Sequence, residues 1–148
     1  MFGQNNDYQI HNFVAGDVIF KEGEEQKNLI VVKSGNIACV KLVKERLIPV
    51  GFYAGEGVLG EEGVLSEDNT CLYSAVALSD VKVIQVPRRD IHRVLGESNE
   101  WVQNVLKDMS HKIGNTMKVL ADHRIVDDRF NGNRIFTTEE ESLIRKVL

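Results

Sequence analysis

Basic residues are missing from the stretch GEGVLGEEGVLSEDNTCLYSAVA, Gly55 to Ala77. Its glycines, running into a short helical segment, nonetheless have the form of a loop that offers backbone N–H groups to an anion. The shape for a phosphate is present and the charge is absent. Cysteine is scarce too: Cys39 and Cys71 are the only two, both among apolar neighbours, so no disulfide framework is expected and a reducing, cytoplasmic setting fits. The opening MFGQNNDYQIHNF carries no basic, apolar leader. No apolar run reaches the length of a membrane span, which excludes a membrane as expected partner. Basic charge is in deficit overall, 18 Lys and Arg against 22 Asp and Glu for a net charge of −4, and such a balance argues against nucleic acid as partner.

What remains is ordinary for a globular domain. At 148 residues, with 43% hydrophobic and 27% charged side chains, the chain can bury a core without covalent staples. From about residue 8 to 87 short β-rich runs alternate with turn residues: VIF, NLIVVKSG, NIACVKLV, LIPVGFY, CLYSAVAL and VKVIQVP. Their spacing predicts an antiparallel β-roll or jelly roll, with KSGN at Lys33 to Asn36 as a tight turn in which Gly35 supplies the unusual backbone angles.

After Pro87 the pattern turns helical, and no proline follows. Val102, Leu106, Met109, Ile113, Thr116 and Leu120 alternate four and three apart, which is the spacing of a heptad seam. This predicts a long helix over 98–125, started by Ser98 or Asn99, which either lies on the sheet as a single amphipathic helix or, as expected here, is shared between the β-rich half and a second copy of the chain in a parallel homodimer. The organisation expected is therefore a β-roll with flanking short helices over 1–97, the long helix over 98–125, and a loop with a short terminal helix over 126–148. TTEEESLIRKVL carries a capping box, Thr137 with Glu140 or Thr138 with Glu141. A helix-turn-helix unit would need a further recognition helix, so no DNA-binding domain is expected.

In this order the blocks GDVIFKEGEE, VVKSGNIACV, FYAGEGVLGEEGVL and VKVIQVPRRDIHRVL resemble the cyclic nucleotide-binding domain, in particular the regulatory domain of catabolite-activator-type bacterial transcription factors. The resemblance covers roughly residues 8 to 125 and implies an α+β fold, an antiparallel β-roll followed by a long dimerisation helix. It implies that Gly60 and Glu61 contact the ligand, Glu61 accepting from a ribose hydroxyl. It also implies that the backbone of Glu62, Gly63, Val64 and Leu65 cups the cyclic phosphate. The family's next element is an arginine followed by a small residue, and gapless alignment from Gly60 puts Cys71 and Leu72 in those slots. On the long helix Thr116 matches a threonine that reaches the purine, followed here by Met117 instead of the frequent serine. The resemblance thus implies a degenerate phosphate cassette.

Enzymatic readings are weaker. His11, His92, His111 and His123 fall outside the central strands expected and form no His-x-His pair, so no metal site is assigned. Glu61 and Glu62 have no nucleophile beside them and read as solvated acids. Arg88 and Arg89 read as a solvated helix start, and Cys71 as a buried structural thiol. The expectation is a non-enzymatic, cytoplasmic regulatory hub, homodimeric, with unidentified protein partners and no bound cofactor. The alternative is a genuine sensor of a cyclic nucleotide or another small ligand.

Overall fold

The computed structural model describes residues 8–122 and 136–148. Eight strands precede most of the helix: β1 Ile10–Phe13, β2 Val18–Phe20, β3 Asn28–Ser34, β4 Asn36–Val43, β5 Arg46–Ala54, β6 Gly57–Leu59, β7 Ser74–Ala77 and β8 Val81–Pro87. They form two four-stranded antiparallel sheets, in the orders β1-β8-β3-β6 and β2-β7-β4-β5. Between the sheets lies a core that includes Ile30, Val32, Ile37, Cys39, Val50, Leu59, Tyr73 and Val83. This is the jelly-roll-like arrangement expected.

Two strands carry too little pattern to be read in advance. The first, β1, exposes three of its four residues, and β6 is three residues inside a glycine-rich loop. The run expected to start at Cys71 becomes a strand only at Ser74. Before that, Cys71 is tied to the loop ahead of β3, its N–H donating to the Glu24 carbonyl at 2.8 Å and its carbonyl accepting from the Gly23 N–H at 2.9 Å. At the turn between β3 and β4, Gly35 has φ +106°, and a Cβ there would collide with the Asp80 carbonyl oxygen and with Val81. Only glycine satisfies both conditions.

Helices follow the second half of the roll: α1 Glu61–Leu65 between β6 and β7, α2 Arg88–Gly96, α3 Glu100–Asp122 and α4 Thr138–Val147. The helical stretch expected after Pro87 is thus divided at Glu97 to Asn99. The capping box forms with Thr137, whose hydroxyl accepts from the Glu140 N–H at 3.1 Å while the Glu140 carboxylate accepts from the Thr137 N–H at 3.1 Å.

The terminal helix has a packing role that its sequence did not announce. Ile37 to Val40 of β4 and all four residues of β7 are buried in unbroken succession, the mark of strands covered on both faces. Ile37 and Cys39 face the inter-sheet core, whereas Ala38, Val40, Phe52 and Val76 face outward onto Ile144 of α4. Phe136 meets Phe52 edge to face at 5.4 Å between centroids, and the Arg145 guanidinium donates to the Glu45 carbonyl at 3.2 Å. Phe136→Ala is expected to lower stability by about 1–2 kcal/mol, because a half-buried ring and an aromatic pair are lost together. Urea denaturation measures it; an unchanged midpoint would mean that α4 does not cover the sheet in solution.

Candidate ligand pocket and helix face

Gly60, ahead of α1, sits at φ +86°, in the left-handed region. A Cβ at Gly60 would come within 2.7 Å of Gln26 Nε2, and one at Gly63 within 2.6 Å of Gln26 Cβ. The buried Gln26 side chain donates to the Asn28 carbonyl at 2.9 Å, so both glycines are fixed by close approach to one anchored amide. Both positions therefore require glycine for the loop to pack against Gln26.

The two acids of α1 are not freely solvated, contrary to the sequence reading: Glu62 is buried and Glu61 half-buried. Glu62 is 2% exposed, and its Oε2 accepts from the Tyr73 hydroxyl at 3.3 Å. That hydroxyl in turn accepts from the Gly60 N–H at 3.3 Å. Burial, reinforced by the neighbouring Glu61 carboxylate, pushes the Glu62 carboxyl up to about 8. Burial also raises Glu61, whose Oε2 is buried without a hydrogen-bond partner. Tyr73 and Cys39, fully buried beneath them, are held well above their ordinary values by burial first and the Glu62 charge second. Alternation cannot reveal this, because residues of a short helix are read by neither period.

A cavity of about 180 Å³ opens beside this cluster, and Lys41, Glu62, Ser66, Leu72, Ser110 and Gly114 are among its lining residues. Of the candidate ligand contacts, Glu62 and Leu72 line it. Gly60, Gly63 and Val64 are buried in the cassette, and Glu61 and Leu65 are half-buried. Cys71 is 1% exposed, and burial, with the Glu24 charge adding to it, pushes its thiol up to about 11. Thr116 is exposed, its hydroxyl donating back to the Lys112 carbonyl at 2.9 Å, and does not line the cavity.

Lys41 was missed in the sequence. It stands in β4 and donates to the Leu72 carbonyl while pairing with Glu22 at 2.9 Å. A lysine inside the apolar run NIACVKLV was the available signal. Ser110 and Gly114 were missed as well. The Ser110 hydroxyl donates to the Glu62 carbonyl at 2.8 Å, and a Cβ on Gly114 would come within 2.5 Å of Leu72 Cδ1. Small residues four apart on one helix face mark a close approach, and here α3 uses them to settle on α1 and the roll.

That seating divides the heptad seam. Ile113 packs against the inter-sheet core, and Val102 and Leu106 are half-buried. Met109 is 52% exposed, and the exposed stripe continues through Val105 to Trp101, which the seam did not include. The Leu120 side chain lies outside the described residues.

Residues 10–98 match the family model described as the cyclic nucleotide-binding domain. The chain belongs to that family. Among solved structures, it is similar to the cAMP-bound form of the EAL enzyme Bd1971, with TM-score 0.68, 18% identity, and 76% of this chain and 30% of that chain covered. It is also similar to a transcriptional regulator from Thermotoga maritima, with TM-score 0.59, 13% identity and coverage of 76% and 88%. A third likeness is to the regulatory domain of Toxoplasma gondii PKA with cAMP, with TM-score 0.60, 20% identity and coverage of 71% and 39%. At these identities the likenesses show the shared fold. The chain spans less than a third of the EAL enzyme it matches. No curated protein sequence matches the chain. Among the described residues no group of His, Cys, Asp and Glu could hold a metal ion, and no helix is long and apolar enough to cross a membrane.

Proposed function

We propose that this cyclic nucleotide-binding domain is a non-enzymatic regulatory module whose pocket has lost tight affinity for cyclic AMP and which acts through contacts with protein, including a second copy of itself. The observation that carries this reading is local. Where the family pattern has an arginine and a small residue, this chain has Cys71, buried, and Leu72, which extends into the cavity against Gly114. Lys41, which lines the cavity, is already held by Glu22 and the Leu72 carbonyl. Calorimetry with cyclic AMP, cyclic GMP and cyclic dinucleotides tests the proposal; micromolar binding of cyclic AMP refutes it.

A second reading, a sensor for a cyclic nucleotide or other small ligand, draws on two features. Glu61 keeps a buried carboxylate oxygen without a partner, and Lys41 lines the cavity. In that case Lys41, rather than a residue at position 71, carries the anion contact, and saturable calorimetric binding lost in Lys41→Met favours this reading.

For self-association the exposed stripe Trp101, Val105 and Met109 is the surface at issue, with the half-buried Val102 and Leu106 at its margin. Val105→Glu is expected to convert a dimer to monomer in light scattering with little change in melting temperature. Ile113→Glu is expected to destabilise the roll instead, because that side chain packs on the core. A monomeric wild type at micromolar concentration removes the dimer from the proposal.

A further inference from the structure

Resting on the reading of the pocket as degenerate, we infer that α3 is locked onto the cassette by the chain's own side chains, so that its seating does not depend on a ligand. Leu72 is the bolt. It reaches from the segment before β7 toward α3, and the absence of a side chain on Gly114 provides the notch that receives it: an added Cβ would lie 2.5 Å from Leu72 Cδ1. The backbone behind Leu72 is held as well. Its carbonyl accepts from Lys41 Nζ, whose other contact, the Glu22 carboxylate at 2.9 Å, is itself fixed by the Leu42 N–H donating at 3.1 Å.

A second fastening lies one turn earlier on the same helix face. Ser110 is 2% exposed and donates to the Glu62 carbonyl at 2.8 Å, with the Glu61 carbonyl at 3.4 Å. These are backbone acceptors of the cassette helix itself, so the position of α3 and the position of α1 are one variable. Ile113 adds apolar contact with the inter-sheet core between the two fastenings. A helix seated by a side-chain bolt, a buried hydroxyl and a core contact needs no ligand to bring it down.

Amide hydrogen exchange on the full chain tests the lock, with residues 106–116 as the readout and residues 36–54 as the internal control for folding of the roll. In the wild type, residues 106–116 are expected to be protected without ligand and unchanged by cyclic AMP at about 1 mM. Leu72→Ala is expected to speed their exchange about tenfold or more while the control segment stays protected, and Leu72→Met, which can refill the notch, is expected to restore most of the protection. Ser110→Ala should act in the same direction as Leu72→Ala. Equal exchange in wild type and Leu72→Ala overturns the lock, as does a wild-type α3 that exchanges freely. Protection gained only on adding cyclic AMP overturns the degenerate-pocket reading as well, so the two failures are distinguishable.

Discussion

Titrated with cyclic AMP, the wild-type protein is expected to show no binding tighter than about 100 µM. A guanidinium paired with phosphate oxygens is a charge-assisted, often bidentate contact, and its removal costs about 2–5 kcal/mol, or roughly 30-fold to several thousandfold in affinity. Nothing on the cassette offsets that loss: Glu67 and Asp68 add acids, and the cavity's lysine is engaged with Glu22. Cys71→Arg alone is not expected to restore binding. Position 71 is buried beside Glu24, so a guanidinium placed there must either stay buried or displace the loop, and Leu72 still lies in the cavity against Gly114. Cys71→Arg with Leu72→Ser removes the bolt and supplies the cation, and is expected to bind measurably more tightly than the single variant. Calorimetry on the three proteins decides it. Micromolar affinity in the wild type ends the degenerate-pocket reading. A single Cys71→Arg variant as tight as the double would show that Leu72 is no obstacle.

The sequence exposed the roll because its signals are local and repeated. Six runs of apolar residues between turn formers became β2, β3, β4, β5, β7 and β8, and Gly35 turned the chain where its dipeptide context demanded. The edge pieces stayed hidden because an exposed four-residue strand such as β1 has no face to alternate, and β6 is shorter than one full alternation. The second face of the β2-β7-β4-β5 sheet was legible in principle: an unbroken apolar run such as AVAL, Ala75 to Leu78, calls for two covers. Which element supplies the outer one depends on a contact between Val76 and Ile144, far apart in the chain, and no local pattern encodes that.

The pocket was legible in outline only. Cys71 and Leu72 stood out because a family pattern made their slots conspicuous. Ser110, Gly114 and Lys41 did not, because each matters through a partner in another element. The heptad seam failed differently. Its spacing places an apolar stripe on α3, yet period alone cannot assign which edge of the stripe the roll takes. Seating α3 by Ser110 and Gly114 rotates Ile113 inward and leaves Trp101, Val105 and Met109 outside.

Stability is expected to fall as pH rises from about 4.5 to about 8, and Glu62→Gln is expected to flatten that dependence. The Glu62 carboxyl is pushed up to about 8 from the ordinary 4.5, burial being the main cause and the Glu61 charge the next. Below pH 4.5 both folded and unfolded chains carry the proton, and the group contributes no slope. Between the two values the folded chain retains a proton that the unfolded chain has released, so raising the pH favours unfolding. Above about 8 both forms have lost it and the penalty is complete, on the order of a few kcal/mol. Glu61, raised in the same direction, titrates together with its neighbour, so the pair loses its protons in linked steps rather than one residue at a time. Glutamine preserves the shape of the side chain and an oxygen for the Tyr73 hydroxyl, but it has no proton to release. Urea denaturation at pH 5, 7 and 8.5 should therefore give a declining series for the wild type and a flatter one for Glu62→Gln, with the variant the more stable of the two at pH 8.5. Parallel profiles would place the Glu62 carboxylate in water. That outcome would also contradict the hydrogen-bonded cluster of Glu62, Tyr73 and the Gly60 N–H.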